Sequence, residues 1–264
     1  MAAGELGQAI GSEWTKLWSV RSTWWCLAGA GALMVLSALL LGGATATDLL
    51  RDGGGPPFPA SQPVISATIF VQFALVTLAM LTITSEYASG AIRVTLQATP
   101  VRGRMLAAKA LVAAPVMFVA GVVGGGVAAV VAYAVLSADL FGGYAALPLA
   151  RVALDLLKVG VFFTLVSVMT IGVGAAMRSA AGTLTVVFML LMGLPLMLLT
   201  AGGQVALEVS LRMPMFAGLA FMGSVDNMTG GPIPYPAGEG LAWLLAWTAA
   251  AVAAGYAVLR RRDA

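Results

Sequence analysis

Six stretches of the chain run without a charged residue: Ser22 to Thr47, Gly53 to Ser85, Ala110 to Ala138, Val159 to Met177, Ser179 to Leu207 and Gly240 to Leu259. Each holds an apolar core near the ~20 residues with which a helix crosses a bilayer, where backbone polar groups must pair within their own segment. The pattern predicts six transmembrane helices, at about 23–43, 64–84, 110–136, 155–176, 183–201 and 240–259. Ahead of the first, Leu6, Ile10, Trp14, Leu17 and Trp18 recur at spacings of three and four, while Gln8, Ser12, Thr15, Lys16 and Ser19 fall on the opposite side. That periodicity predicts an amphipathic helix over 5–21 lying in the headgroup plane. Trp14, Trp18, Trp24 and Trp25 would sit at interface depth, with Lys16 and Arg21 toward anionic lipid. The bland alternative is an ordinary flanking segment with belt aromatics. Glu5 and Glu13 ahead of the first apolar run argue against a cleaved signal peptide.

Between the fifth and sixth spans, MPMFAGLAFM (Met213 to Met222) is apolar but too short to cross. It predicts a re-entrant or interfacial helix at the outer mouth, with Pro232, Pro234 and Pro236 stiffening the return. Asn227, in the sequence NMT, fits a glycosylation pattern at the level expected by chance. The fold class is therefore an all-α integral membrane protein.

Composition fits that class: 60% of the 264 residues are hydrophobic, and 14 basic and 11 acidic side chains could not cover a soluble domain. The basic residues are unevenly placed. The termini and the second and fourth connections hold Lys16, Arg21, Arg93, Arg102, Arg104, Lys109, Arg178, Arg260, Arg261 and Arg262, which is 10 of the 14; Arg51, Arg151, Lys158 and Arg212 lie on the other side. The positive-inside rule puts both termini in the cytoplasm. The net charge of +3 is juxtamembrane bias, not a nucleic-acid footprint.

Several chemistries are excluded. There is no His and a single cysteine, Cys26, which rules out an intrachain disulfide, a Cys/His zinc cluster and a His-activated nucleophile. The three lysines follow Thr, Ala and Leu, so the chain has no P-loop of its own. No metal, cofactor or catalytic residue is indicated. The middle of every predicted span lacks an ionisable group of the kind ion-coupled transporters use. Asp155 and Lys158, near the outer end of the fourth span, could pair at i, i+3 or snorkel. Glu208 and Glu239 lie at outer edges, facing water. Gly121 and Gly125 have the spacing that lets helices approach closely. Pro115 and Pro195 are expected to kink the third and fifth spans.

For a chain so poor in charge, EYASGAIRVTLQATPVRGRMLAAK (Glu86 to Lys109) is dense in it. Glu86 and Tyr87 close the second span, Gly90 permits a break, Ile92 and Leu96 form an apolar pair at i, i+4, and Pro100 ends a short helix. Arg102, Arg104 and Lys109 then form a basic cluster, which could merely hold topology against lipid phosphates. The order of residues resembles the cytoplasmic connection between the second and third spans of permease subunits of the type 2 ABC exporter family. The likeness rests on Glu86, Tyr87, Gly90, Ala91, Ile92, Arg93, Pro100, Arg102, Arg104 and Lys109. The family often has Thr where this chain has Ala91.

The resemblance implies a single permease domain over 1–264 and a coupling helix at 86–98 that docks on a separate ATPase, with Glu86 pairing to Arg93 or to a partner's basic residue. It implies two ATPase subunits per transporter, binding ATP and Mg, and a second copy or a paralogue of this chain. The transporter would work in a bacterial cytoplasmic membrane among its lipids, exporting an amphipathic or lipid-like compound such as a drug, antibiotic or lipid. A self-contained secondary transporter or channel for a hydrophobic solute is the alternative.

Overall fold

The computed structural model describes residues 2–98, 101–225 and 233–261. Pro100, Asn227 and Pro232 lie outside the described residues, as does the side chain of Leu96. The chain is mostly helical, with six helices long and apolar enough to cross a membrane. They are α2 (Arg21–Arg51), α3 (Gln62–Ser89), α5 (Arg102–Leu136), α6 (Leu149–Met177), the composite span Ala180–Ala201, and α11 (Ala237–Arg261). All six predicted spans are found, and every helix starts before its predicted first residue, with four also running past the predicted end, because helix outlasts hydrophobicity at the membrane surface. These features describe a multi-pass membrane protein.

Burial divides the spans by role. The apolar windows of α3 and α6 are 72% and 61% buried, against 17% for the composite span and for α11, so α3 and α6 form the centre of the bundle. Small residues set how closely the others approach. A Cβ on Gly121 of α5 would lie 2.8 Å from Phe163 Cδ2 and 3.0 Å from Gly160 Cα of α6, and one on Gly125 would lie 2.8 Å from Leu156 Cδ2. The expected close contact is thus made, by α5 on α6. A tighter one joins α6 to α11, where a Cβ on Gly172 would meet the Ala251 carbonyl carbon at 2.6 Å.

The two prolines behave differently. α5 continues through Pro115 as one helix. The fifth span is α7 (Ala180–Phe188), a π-helical turn at Met189–Gly193, and α8 (Leu194–Ala201), with Pro195 in the first turn of α8. The irregularity falls just before Pro195, where the ring and the missing N–H disturb the preceding turn.

Four shorter helices complete the chain. These are α1 (Ala2–Ser19), α4 (Ile92–Ala98), α9 (Gln204–Leu211) and α10 (Pro214–Met222), with α9 and α10 bent by 67° at Arg212 and Met213. α10 is almost wholly buried. At that end of the bundle Trp247 Nε1 donates to Arg212 O at 2.9 Å, Ser210 Oγ to Pro195 O at 2.7 Å and Tyr235 Oη to Leu211 O. The carboxylates of Glu208 and Glu239 lie 3.6 Å and 4.0 Å from Arg212, so these two residues hold a connection together as well as facing water. Two further connections at this end pair as a short parallel ladder, Phe58 with Ala145 and Pro59 with Ala146. Beside it Asp155 accepts a 2.7 Å hydrogen bond from Ser61 Oγ and is buried. No Asp155–Lys158 pair forms among the described residues.

Candidate functional site

At the other end, which holds α1 and the C-terminal end of α11, the segment from Glu86 to Ala98 falls in two helices instead of one. α3 carries Glu86 and Tyr87 in its last turn and is closed by Gly90, whose φ of 74° is a left-handed conformation that glycine adopts without a Cβ clash. α4 begins only at Ile92. The expected helix over 86–98 is thus broken, with Glu86 and Tyr87 on the transmembrane side.

The break decides what Glu86 touches. Its Oε1 accepts from Lys109 Nζ at 2.8 Å and from Lys16 Nζ at 3.0 Å. Arg93, the expected partner, is exposed on α4. Glu86 points inward because it lies on the face of α3 that also buries Ile83 and Leu75, whereas Arg93 is beyond the Gly90 reversal.

Lys109 is the other correction. It stands seven residues into α5 and its side chain is fully buried, away from the solvent-facing role given to the basic cluster. Lys109 Nζ donates to Glu13 Oε2 at 2.7 Å, Glu86 Oε1 at 2.8 Å and Thr82 O at 2.9 Å. Lys16 Nζ donates to Glu13 Oε1 at 2.7 Å and reaches Thr95 Oγ1 of α4 at 3.4 Å. Two ammonium groups and two carboxylates therefore form one neutral network joining α1, α3, α4 and α5. Burial works against the charge on Lys16, but Glu13 and Glu86 outweigh it and raise the ammonium above its ordinary pKa of 10.5.

The rest of the basic cluster separates. Arg102 donates to the Leu259 carbonyl of α11, and Arg104 pairs with Glu5 of α1. The N-terminal helix is thus tied to α5 at two points. Its buried face is Ala9, Glu13 and Leu17; Gln8, Ser12, Thr15 and Ser19 face outward as the periodicity predicts, Lys16 turns its ammonium to Glu13 and Glu86 instead of toward lipid, and Trp14 is half exposed. Trp18 packs between Trp14 and Trp24, with ring centroids 5.6 Å and 5.0 Å away. Helix α1 ends at Ser19, before Arg21, at an extended Val20.

No family model and no curated protein matches this chain. What can be said of its site therefore rests on geometry. Tyr87 lies under the Arg178 guanidinium, 5.5 Å from its ring centroid, and Ile92 is buried in the main core. On the outer side of α4, Arg93 and Val94 are exposed, Val94 by 67%. Sequence reasoning missed Glu13, and its signal was available: Ala9, Glu13 and Leu17 repeat every four residues, a buried stripe with an acid in its middle. Among the described residues no group of three or more metal-ligating side chains is assembled.

Proposed function

We propose that this chain is the transmembrane subunit of an ABC exporter of type 2 architecture, driven by ATPase subunits on separate chains. The observation that carries the reading is α4. On its inner side Ile92 and Thr95 reach the core and the charge network, and on its outer side it presents Arg93 and an apolar Val94 to a partner. An exposed apolar residue beside a cation on a short helix suits a groove on another protein. Movement of α4 would pass through the Lys16–Glu86–Lys109 links into α1, α3 and α5, which turn as a connected body because breaking a buried ion pair is costly.

In this reading α1 is the interfacial helix, 86–98 the coupling region, α9 and α10 the re-entrant pair of the outer mouth, and the termini are cytoplasmic. ATP and Mg stay on the partner, and a second permease copy or paralogue completes the transporter in a bacterial cytoplasmic membrane. The apolar interior suits an amphipathic or lipid-like cargo.

The test is purification from native membranes in mild detergent, with mass spectrometry of what accompanies the chain. A P-loop ATPase should co-purify stoichiometrically. Val94→Arg should release it while leaving thermal stability unchanged, since Val94 is outside the charge network. Arg93→Glu, on the exposed side of α4, should uncouple export from ATP hydrolysis while the protein stays folded in the membrane. Isolation without an ATPase, under conditions that keep other membrane complexes whole, would sink the proposal.

A further inference from the structure

Two cavities follow one another along the seam between α2, α3 and α5. The first, of about 310 Å³, is lined by Lys16, Glu86 and Lys109 and by the hydroxyl-bearing Thr23, Thr82 and Ser85. The second, of about 660 Å³, is lined by the next turns of the same helices and is almost wholly apolar. On α3 the lining passes from Thr82 and Leu78 to Leu75 and Val71, and on α5 from Lys109 and Ala113 to Val116 and Ala120. These steps of three and four residues keep one face of each helix on the seam. From Lys109 to Val127 it runs about 27 Å at ~1.5 Å per residue, close to the thickness of a bilayer's hydrocarbon core. A polar pocket near one end of the bundle, with an apolar slot next to it along the same helices, has the shape of an amphiphile.

The network says what head it would take. An ammonium has three protons to donate. Those of Lys109 go to Glu13, Glu86 and Thr82, and those of Lys16 to Glu13, Glu86 and Thr95. Glu86 Oε2, in contrast, is buried and accepts no hydrogen bond. An anionic head would have to pull a lysine from its carboxylates, whereas a head that donates N–H needs only a small turn of the Glu86 carboxylate to bring the unpartnered Oε2 to the cavity wall, with both lysines still on Oε1. We propose that the seam binds an amphiphile with a primary ammonium head, which donates to Glu86 Oε2 while its tail occupies the apolar slot. This concerns binding to the chain alone and stands whether or not an ATPase partner exists. The ammonium could belong to a free alkylamine or to an aminophospholipid.

The experiment is calorimetric titration of the purified full-length chain, in non-ionic detergent, with dodecylamine, dodecyltrimethylammonium, dodecanol and dodecyl sulfate. Dodecylamine should bind about tenfold more tightly than the other three, the selectivity of a hydrogen bond to a charged group. Glu86→Gln should erase that preference. Gly124→Leu, which adds a side chain to the apolar slot where the nearest atom to a Cβ is Gly31 Cα at 4.0 Å, should weaken all four and leave the unfolding temperature unchanged.

A second arm identifies the source. Native mass spectrometry after purification from mixed phosphatidylethanolamine, phosphatidylcholine and phosphatidylglycerol should retain phosphatidylethanolamine in a Glu86-dependent way if the head is a lipid's. Dodecylamine binding without such retention assigns the site to a free alkylamine. Tighter binding of the sulfate, equal binding of amine and trimethylammonium, or a Glu86→Gln protein with undiminished amine preference would overturn the proposal.

Discussion

Lys109 illustrates how a cation is made tolerable inside an apolar bundle. Its side chain is fully buried, all three of its protons find oxygens within 2.9 Å, and two carboxylates supply the opposing charge. Removing it strands Glu13 and Glu86. Lys109→Met should therefore cost about 3–5 kcal/mol, read by denaturant unfolding in mixed micelles, and Glu86→Gln in the same chain should recover part of the loss. The rise in the Lys16 pKa favours the folded state at every pH below 10.5 and is lost only as pH climbs through the raised value, so the α1 link should hold across the neutral range. Tyr235, beyond the spans, gives a second titration. Burial, with Glu239 adding to it and Arg212 partly opposing, pushes its phenol up to about 12. Its neutral form stabilises the fold below pH 10 and that contribution disappears toward pH 12. In a tyrosinate absorbance titration, Tyr235→Phe should remove a late step near pH 12.

Among the elements, the contact of α6 with α11 is the least forgiving. Backbone meets backbone there: a Cβ on Gly172 would lie 2.6 Å from Ala251, and one on Gly255 would lie 2.4 Å from the Gly172 carbonyl oxygen. Neither helix can yield by turning a side chain. Gly172→Ala should destabilise by about 1–3 kcal/mol in the same unfolding assay, while Gly43→Ala, with nothing within 4 Å, should be neutral. Periodicity could point to Gly121 and Gly125, because they share a face at i, i+4. It could not pair Gly172 with Gly255, since that crossing depends on where two spans meet in space. The same limit applies to Pro115 and Pro195, alike in sequence but only one of them beside an irregular turn.

For the whole molecule, the six spans were legible because lipid imposes a minimum length on any crossing helix, and Lys, Arg, Asp and Glu mark where each stretch ends. In α1 the period located the exposed polar positions but not the buried stripe, which is Ala9, Glu13 and Leu17 and leaves Trp14 half exposed. The charge network was not legible. Glu13, Glu86 and Lys109 come from three helices, and no local pattern says that they converge; proximity along the chain favoured Arg93 for Glu86, and the Gly90 reversal took it away. The excess of basic residues at the α1 end makes a prediction about topology, that this end faces the cytoplasm. With Cys26 replaced by serine, a cysteine at exposed Ser12 should react with a membrane-impermeant maleimide only in inverted vesicles, and one at exposed Asp139 only in right-side-out ones.

The span of sequence between Glu13 and Lys109 also sets an order of events during synthesis. Their pairing closes over 96 residues. At ~5–20 residues per second, Glu13 therefore has only the half-exposed Lys16 beside it for about 5–20 s before its buried partner Lys109 emerges. Over that interval α1 cannot settle into its final seat and stays at the surface while α2 and α3 insert. Nascent chains arrested before Lys109 should accordingly leave α1 open to protease, and chains arrested after α5 has inserted should protect it, so this anchoring helix, first out of the ribosome, would be among the later ones to find its place.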